Sequence, residues 1–334
     1  GQVANPMQVV ALKPNFTSRD CQKELQRLAS LRNCLADAIP KFNAHRNALD
    51  DFALRDGHEY HATLLEFEKR HFPHLEGVAP NLRLEWRDAY DATKDPVAHS
   101  SLSWDRVCTL WNIAALESFE ASLCDSDKEG RKSAFQHSQA AACAMVYTQK
   151  AMEGEIFEGL DLSNASLVFW EKAMRAQAQM AAYEMSSKSG EVKQVLLSYL
   201  AMGAVTCWNE ALQASQDPLL QSALDKHKEY GATCKGWSLL LLARAETHQA
   251  LSHRETKELG MEISRLRQAK AAARSALEFC RKTTEIETSA VEKLSRFIEQ
   301  RLTEVERDNI IVGDDIPSSS PTIRSHVMVK TDLP

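Results

Sequence analysis

Glycine and proline are scarce in this 334-residue chain, at 12 and 10 positions. They break helices and build tight turns, so their scarcity argues against a turn-rich fold. There is no series of valine- or isoleucine-rich segments separated by turns, which excludes a large sheet. No stretch approaches 18 uncharged apolar residues, so no membrane span is expected, and no secretory leader is visible. The eight cysteines, at 21, 34, 108, 124, 143, 207, 234 and 280, form no Cys-x-x-Cys pair. Several fall on apolar helix faces, where a thiol behaves as a small hydrophobe, and this usage points to a reducing compartment, cytosolic or nuclear. Basic charge is not in excess: 40 basic against 46 acidic residues give −6, with no bulk attraction for nucleic acid or acidic lipid.

The chain also has no G-x-G-x-x-G, no G-x-x-x-x-G-K-[ST] and no G-x-S-x-G motif, which removes the common nucleotide loops and the hydrolase elbow. His58-Glu59-Tyr60-His61 invites a metal reading. The zinc-protease helix needs histidines four apart to share one face, and these are three apart, so a plain surface helix is the simpler reading. His71 and His74 flank Pro73 and read as loop residues. Acid pairs such as Glu153/Glu155 and Asp314/Asp315 stand away from any other chemical signal and read as solvated charge. No metal, no cofactor and no enzymatic activity is expected.

What the chain has is helix-forming sequence, 44% hydrophobic and rich in alanine and leucine. Pro6–Lys13 is the best strand candidate, as an edge strand or part of a short hairpin near the start. Ser18-Arg19-Asp20 offers caps for a helix through Leu25, Leu28 and Leu31, and a second helix is predicted over 41–70. Pro73 and Pro80 bracket a connection, and Arg83–Tyr90 alternates like a short strand but leans to helix at its end. Further helical segments are predicted at about 101–123, 127–152, 161–186, 190–214, 217–251 and 255–309. Joined by short turns, they suggest stacked helical hairpins without a strict repeat consensus. After Asn309, Gly313-Asp314-Asp315 and Pro317–Pro321 read as an extended tail, and Val327-Met328-Val329 as an apolar patch that docks back on the body.

Two segments carry more than helical periodicity. Within Trp104–Ser118, Val107, Leu110, Trp111, Ala114 and Ala115 make a dry face, in which Asn112 is a polar group that needs partners if buried. In Leu167–Tyr183, Leu167, Trp170, Met174 and Ala178 form a stripe, while Gln177 and Gln179 sit among alanines as side-chain amides placed to bridge helices. Val192, Val195, Leu196 and Tyr199 then follow at i, i+3, i+4 and i+7. Core and partner groove both remain open for such stripes, with core favoured on residue type.

Five segments in register resemble the ALIX-like BRO-domain (BRO-one module) family. They are Leu84-Glu-Trp-Arg-Asp-Ala-Tyr-Asp91, Trp104–Leu116, Ala176-Gln-Ala-Gln179, Ala245-Glu-Thr-His-Gln249 with Gly260–Leu266, and Arg307-Asp308-Asn309. The resemblance implies an all-α, boomerang-shaped domain with a tetratricopeptide-like helical-hairpin solenoid core. It would span 6–334, with 313–334 as the docked tail and 1–5 as an expression remnant or disordered start.

It also implies a non-catalytic adaptor whose concave apolar groove receives an amphipathic C-terminal helix of an ESCRT-III subunit. Such a module is a monomer recruited from the cytoplasm to endosomes, where it associates peripherally with membrane in multivesicular-body sorting or scission. Carried over position by position, the groove comprises Val195 and Tyr199 on consecutive turns, Lys132 as the lysine that pairs with partner acids, and Met328 at the rim. Two positions depart from the family. Ala182 stands where an aromatic or large aliphatic residue is usual, with Tyr183 beside it, and the family's acidic position falls at Asp127 or Lys128, the register favouring Lys128. These departures keep open a groove for a non-ESCRT partner, in pH signalling or the cytoskeleton. The family's tyrosine after Asp-Asn has no counterpart in Ile310-Ile311-Val312-Gly313. The loop Ala92–Ala98 is shorter and less apolar than the family's membrane-inserting loop, so neither property is transferred.

Overall fold

Long glycine-poor segments have little to interrupt them, and the chain folds mainly as helices of 20 residues or more. The computed structural model describes residues 8–9, 26–34, 52–71, 84–90, 94–125, 127–153, 159–223, 227–283 and 286–331. In chain order these form β1 (Gln8–Val9), α1 (helical over 26–34), α2 (Phe52–His71), β2 (Leu84–Arg87) and β3 (Val97–His99). There follow α3 (Leu102–Leu123), α4 (Lys128–Ala151), α5 (Asn164–Ser189), α6 (Gln194–Ala214), α7 (Pro218–Ala223), α8 (His227–Glu255), α9 (Leu259–Cys280) and α10 (Thr288–Val312). The expected caps at 18–20, the 41–51 part of the second helix, Pro73, His74 and Pro80 lie outside the described residues.

Three expectations need correction. The segment read over Arg83–Tyr90 does not turn helical at its end: Leu84–Arg87 is the central strand of an antiparallel sheet ordered β1-β2-β3, with Val9 opposite Trp86 and Trp86 opposite Val97, and 88–90 are not helical. His71 closes α2 rather than lying in a loop. The long segment over 255–309 is two helices, α9 and α10, broken after Cys280. Neither glycine nor proline marks that break. There the chain turns so that Ile286, 3% exposed, enters the core beside Leu240, Ala276 and Val291.

The chain divides into two compact units. One comprises Val3–Glu120 and Ala140–Glu171 with the last two residues, and the other Ala121–Gln139 and Lys172–Asp332 with the first two. The first unit is organised around Asp105, which has no exposed surface. Its carboxylate accepts from Arg32 at 3.1 Å, from Trp86 Nε1 at 2.6 Å and from the Tyr60 hydroxyl. One buried charge thus ties α1, α2, β2 and α3. Trp104, Trp111 and Asn112 are fully buried around it on α3.

In the second unit, small residues let helices approach closely: Ala243, Ala250, Ala269 and Ala273 pack with Ile263, Leu266, Ile298 and Val305 between α8, α9 and α10. Two buried ion pairs cross the same layers, Arg265 to Glu246 at 3.0 Å and Arg301 to Glu262 at 2.7 Å. Helix α6 is long and apolar enough to cross a membrane by length and composition, with 56% of that window buried in the protein.

Candidate partner-binding groove

The site is built where an extended segment crosses three consecutive helices of the second unit. Helix α10 ends at Gly313, whose left-handed φ of 76° suits a residue without a side chain. Asn309 clamps this turn, its side chain donating to the Asp314 carbonyl and accepting the Asp314 amide, both at 3.0 Å. The tail then runs along α9. Asp314 accepts the Leu259 amide, Ser264 donates to the Pro317 carbonyl, and Arg265 donates to the Pro321 carbonyl. Gly260 makes the approach possible, because a Cβ there would meet the Asp315 carbonyl oxygen at 2.0 Å. The residues behind the resemblance around 246, 260–266 and 309 are thus the fastenings of the tail.

Further on, the tail meets α6, α5 and α4 in that order. The His326 amide donates to the Tyr199 carbonyl at 3.1 Å. Gln179 on α5 donates to the Leu200 and His326 carbonyls and accepts the Met328 amide at 2.7 Å, so one buried amide joins two helices and the tail. Gln139 on α4 then donates to the Lys330 carbonyl at 3.1 Å. Gly203 admits this crossing, since a Cβ there would meet the His326 carbonyl oxygen at 2.1 Å. Ile323 and Val329 are buried as anchors, while Met328 between them stays 42% exposed.

Five of the seven expected groove residues are half-buried or exposed on α4, α6 and the tail. Val195 and Tyr199 are half-buried on α6 and Met328 stands at the tail crossing. Lys128 and Lys132 are exposed one turn apart on α4. Ala182 and Tyr183 differ, being buried at 0% and 3% exposure. Tyr183 donates its chemistry inward. Its hydroxyl meets His248 Nε2 at 2.8 Å, its ring lies 5.9 Å from the Arg244 guanidinium, and burial pushes its hydroxyl up to about 12. His248 in turn meets Gln194, the first residue of α6, at 2.7 Å, and burial with Arg244 nearby lowers it to about 4. This relay fixes the start of the helix that carries Val195.

Leu196, already in the stripe read from the sequence, is 42% exposed beside Val195; sequence reasoning missed Phe135, half-buried on α4. Helical phase was the available signal for Phe135, because it shares a face with Lys128, Lys132 and Gln139 to within about 60° of arc. A separate cleft of about 660 Å³ is lined by Arg131, Gln177, Tyr183, Glu184, Lys188 and Arg244 among others. By helical phase it opens on the side of α5 away from Gln179, and Tyr183 alone of the expected residues lines it. On α2, His58 Nε2 lies 3.3 Å from Glu117, and His61 is lowered to about 4 by burial, with Arg106 and His58 adding to the shift. A cation beside His61 does not favour a metal there.

A fold in which a C-terminal tail is laced across a helical-hairpin stack invites comparison with known domains. The BRO1-like domain family matches residues 10–334. The chain belongs to this family. It is 26% identical over 275 residues to Programmed cell death 6-interacting protein of Xenopus laevis, covering 77% of this chain and 30% of that protein. The BRO1-like chain therefore spans less than a third of that relative's length. A solved structure described as an ALIX BRO1 CHMP4C complex superimposes with a TM-score of 0.84 at 22% identity, covering 99% of this chain and 94% of the other. Another, described as the structure basis for endosomal targeting by the Bro1 domain, superimposes at 0.79 with 17% identity, covering 98% and 91%. These two likenesses show the fold.

Proposed function

We infer that this BRO1-like domain is a non-catalytic adaptor that seats an amphipathic C-terminal helix of an ESCRT-III subunit on the face formed by α4, α5, α6 and the tail. The observation that carries the reading is the apolar set left open around the tail crossing: half-buried Val195 and Tyr199, with Leu196 and Met328 each 42% exposed. A helix buries such a set with residues at i, i+3, i+4 and i+7. The relative solved with CHMP4C supports the partner class, and the Bro1 domain described in endosomal targeting supports recruitment of a cytoplasmic protein to endosomes. In this reading 6–334 acts as one domain that associates peripherally with endosomal membrane.

The test is fluorescence anisotropy of a labelled C-terminal ESCRT-III helix peptide titrated with the 334-residue chain and its Val195→Asp variant. Micromolar binding lost in the variant supports the reading. Binding that Val195→Asp leaves unchanged moves the site, and no binding to any such peptide rejects the partner class in favour of another protein's helix.

A further inference from the structure

Ser320 lies in the middle of the fastening that holds the tail to α9. Of the ten prolines in the chain, Pro321 alone follows a serine or threonine. Over 313–331 the tail forms no helix or strand. Ser320 is half-buried there, while Ser318, Ser319, Pro321 and Thr322 around it are exposed. A proline also confines the residue before it to extended backbone. Kinase clefts read their substrates in that conformation, and a proline directly after the acceptor is what proline-directed kinases select.

The groups around the Ser320 hydroxyl are already committed. Ser264 on α9 gives its proton to the Pro317 carbonyl at 3.1 Å and receives that of Ser320 at 2.9 Å. The next carbonyl, of Pro321, is held by Arg265, whose guanidinium also pairs with Glu246 at 3.0 Å. Both side chains of that pair are buried, and burial pushes the Glu246 carboxyl up while Arg265 holds it down. Beyond this fastening Ile323 enters the core, and the tail goes on to α6.

We propose that Ser320 is a phosphorylation site for a proline-directed serine/threonine kinase, and that the phosphate frees the 317–323 stretch of the tail from α9. The step moves the γ-phosphoryl group of ATP to the Ser320 Oγ. The bond from phosphorus to the oxygen of the departing ADP breaks, the bond to Oγ forms, and the hydroxyl proton is released. The modified side chain has no proton left to give Ser264. It brings about −1.5 to −2 of charge and a set of acceptor oxygens. These face an oxygen whose own proton is taken by Pro317, so acceptor meets acceptor. Turning to Arg265 does not restore the fastening. A guanidinium drawn to the phosphate leaves the Pro321 carbonyl and parts from a buried carboxylate, which costs more than a pairing nearer solvent returns. Asp314 and Asp315 upstream add like charge on the same segment.

The test incubates the 334-residue chain with ATP and, in separate reactions, a cyclin-dependent and a mitogen-activated kinase, and maps the phosphate by mass spectrometry. Phosphate is expected on Ser320 and absent from the tail of Ser320→Ala. Limited trypsin digestion then reads the tail, through the cut after the exposed Arg324. That cut should be about tenfold faster in the modified chain, with cuts outside the tail unchanged. Ser264→Ala removes the acceptor without adding charge and should speed the same cut by a smaller factor. A Ser320 left unmodified by both kinases overturns the site. A cut after Arg324 that is unchanged or slower on modification overturns the release, a slower one showing that Arg265 captures the phosphate. A rise at every cut overturns it too, because the fold and not the fastening has then given way.

Discussion

Asp105 accepts three donors from α1, α2 and β2 while having no exposed surface, so its charge is stabilised by those donors and by its place in the first turn of α3. Asp105→Ala removes the carboxylate that faces the buried Arg32 guanidinium, leaving its bond to the Glu85 carbonyl, and should cost about 3–5 kcal/mol, read as a shift in urea midpoint. An unchanged midpoint would show that Arg32 finds another acceptor. His248 makes a pH prediction. Its imidazole is held near 4 in the fold against an ordinary 6.5, so the unfolded chain takes up a proton first as pH falls. The stabilising contribution is fully present above about 6.5 and is lost as pH drops towards 4. From pH 7 to 4.5 the native chain should lose about 2–3 kcal/mol more than His248→Gln, and equal losses would contradict the assignment.

At this scale the sequence was partly legible. Gln179 among alanines reads as a bridging amide, and it joins Leu200, His326 and Met328. The burial of Ala182 and Tyr183 was not legible, because periodicity places a residue on a face without saying what packs over it.

Among elements, the tail is the one whose position depends on very small residues elsewhere. Gly203→Ala places a methyl group where the His326 carbonyl lies, and Gly260→Ala does the same at Asp315. Each should lift its part of the tail, seen as faster hydrogen exchange over 323–330 and 314–317 respectively. Gly203→Ala should also weaken partner binding by loosening Met328, whereas Gly260→Ala acts further from the groove. A tail equally protected in both variants would mean that it is held by contacts other than the crossings. Helix positions were readable from apolar periodicity, and the tail from its proline and serine content. The split between α9 and α10 was hidden, because the Lys282–Glu287 stretch has ordinary helix-compatible residues and the break is imposed by burial of Ile286. The strand at Leu84–Arg87 was ambiguous because four residues are too few for alternation to decide, and pairing on both sides settles it.

Across the whole molecule, the family is shown by a match over residues 10–334, and the functional claim is that one face of the second unit receives a helix. Tyr199→Ala or Val195→Ala should each weaken that binding by about 1–3 kcal/mol, the range for a central apolar contact, without lowering the urea midpoint comparably. Hydrogen exchange of the 334-residue chain, with and without a saturating C-terminal ESCRT-III helix peptide, tests the claim most directly. The account predicts added protection at 128–139, 192–200 and 326–330, with little change elsewhere. Protection confined to the cleft around Arg244, or to the exposed Ile310-Ile311-Val312 end of α10, would contradict it.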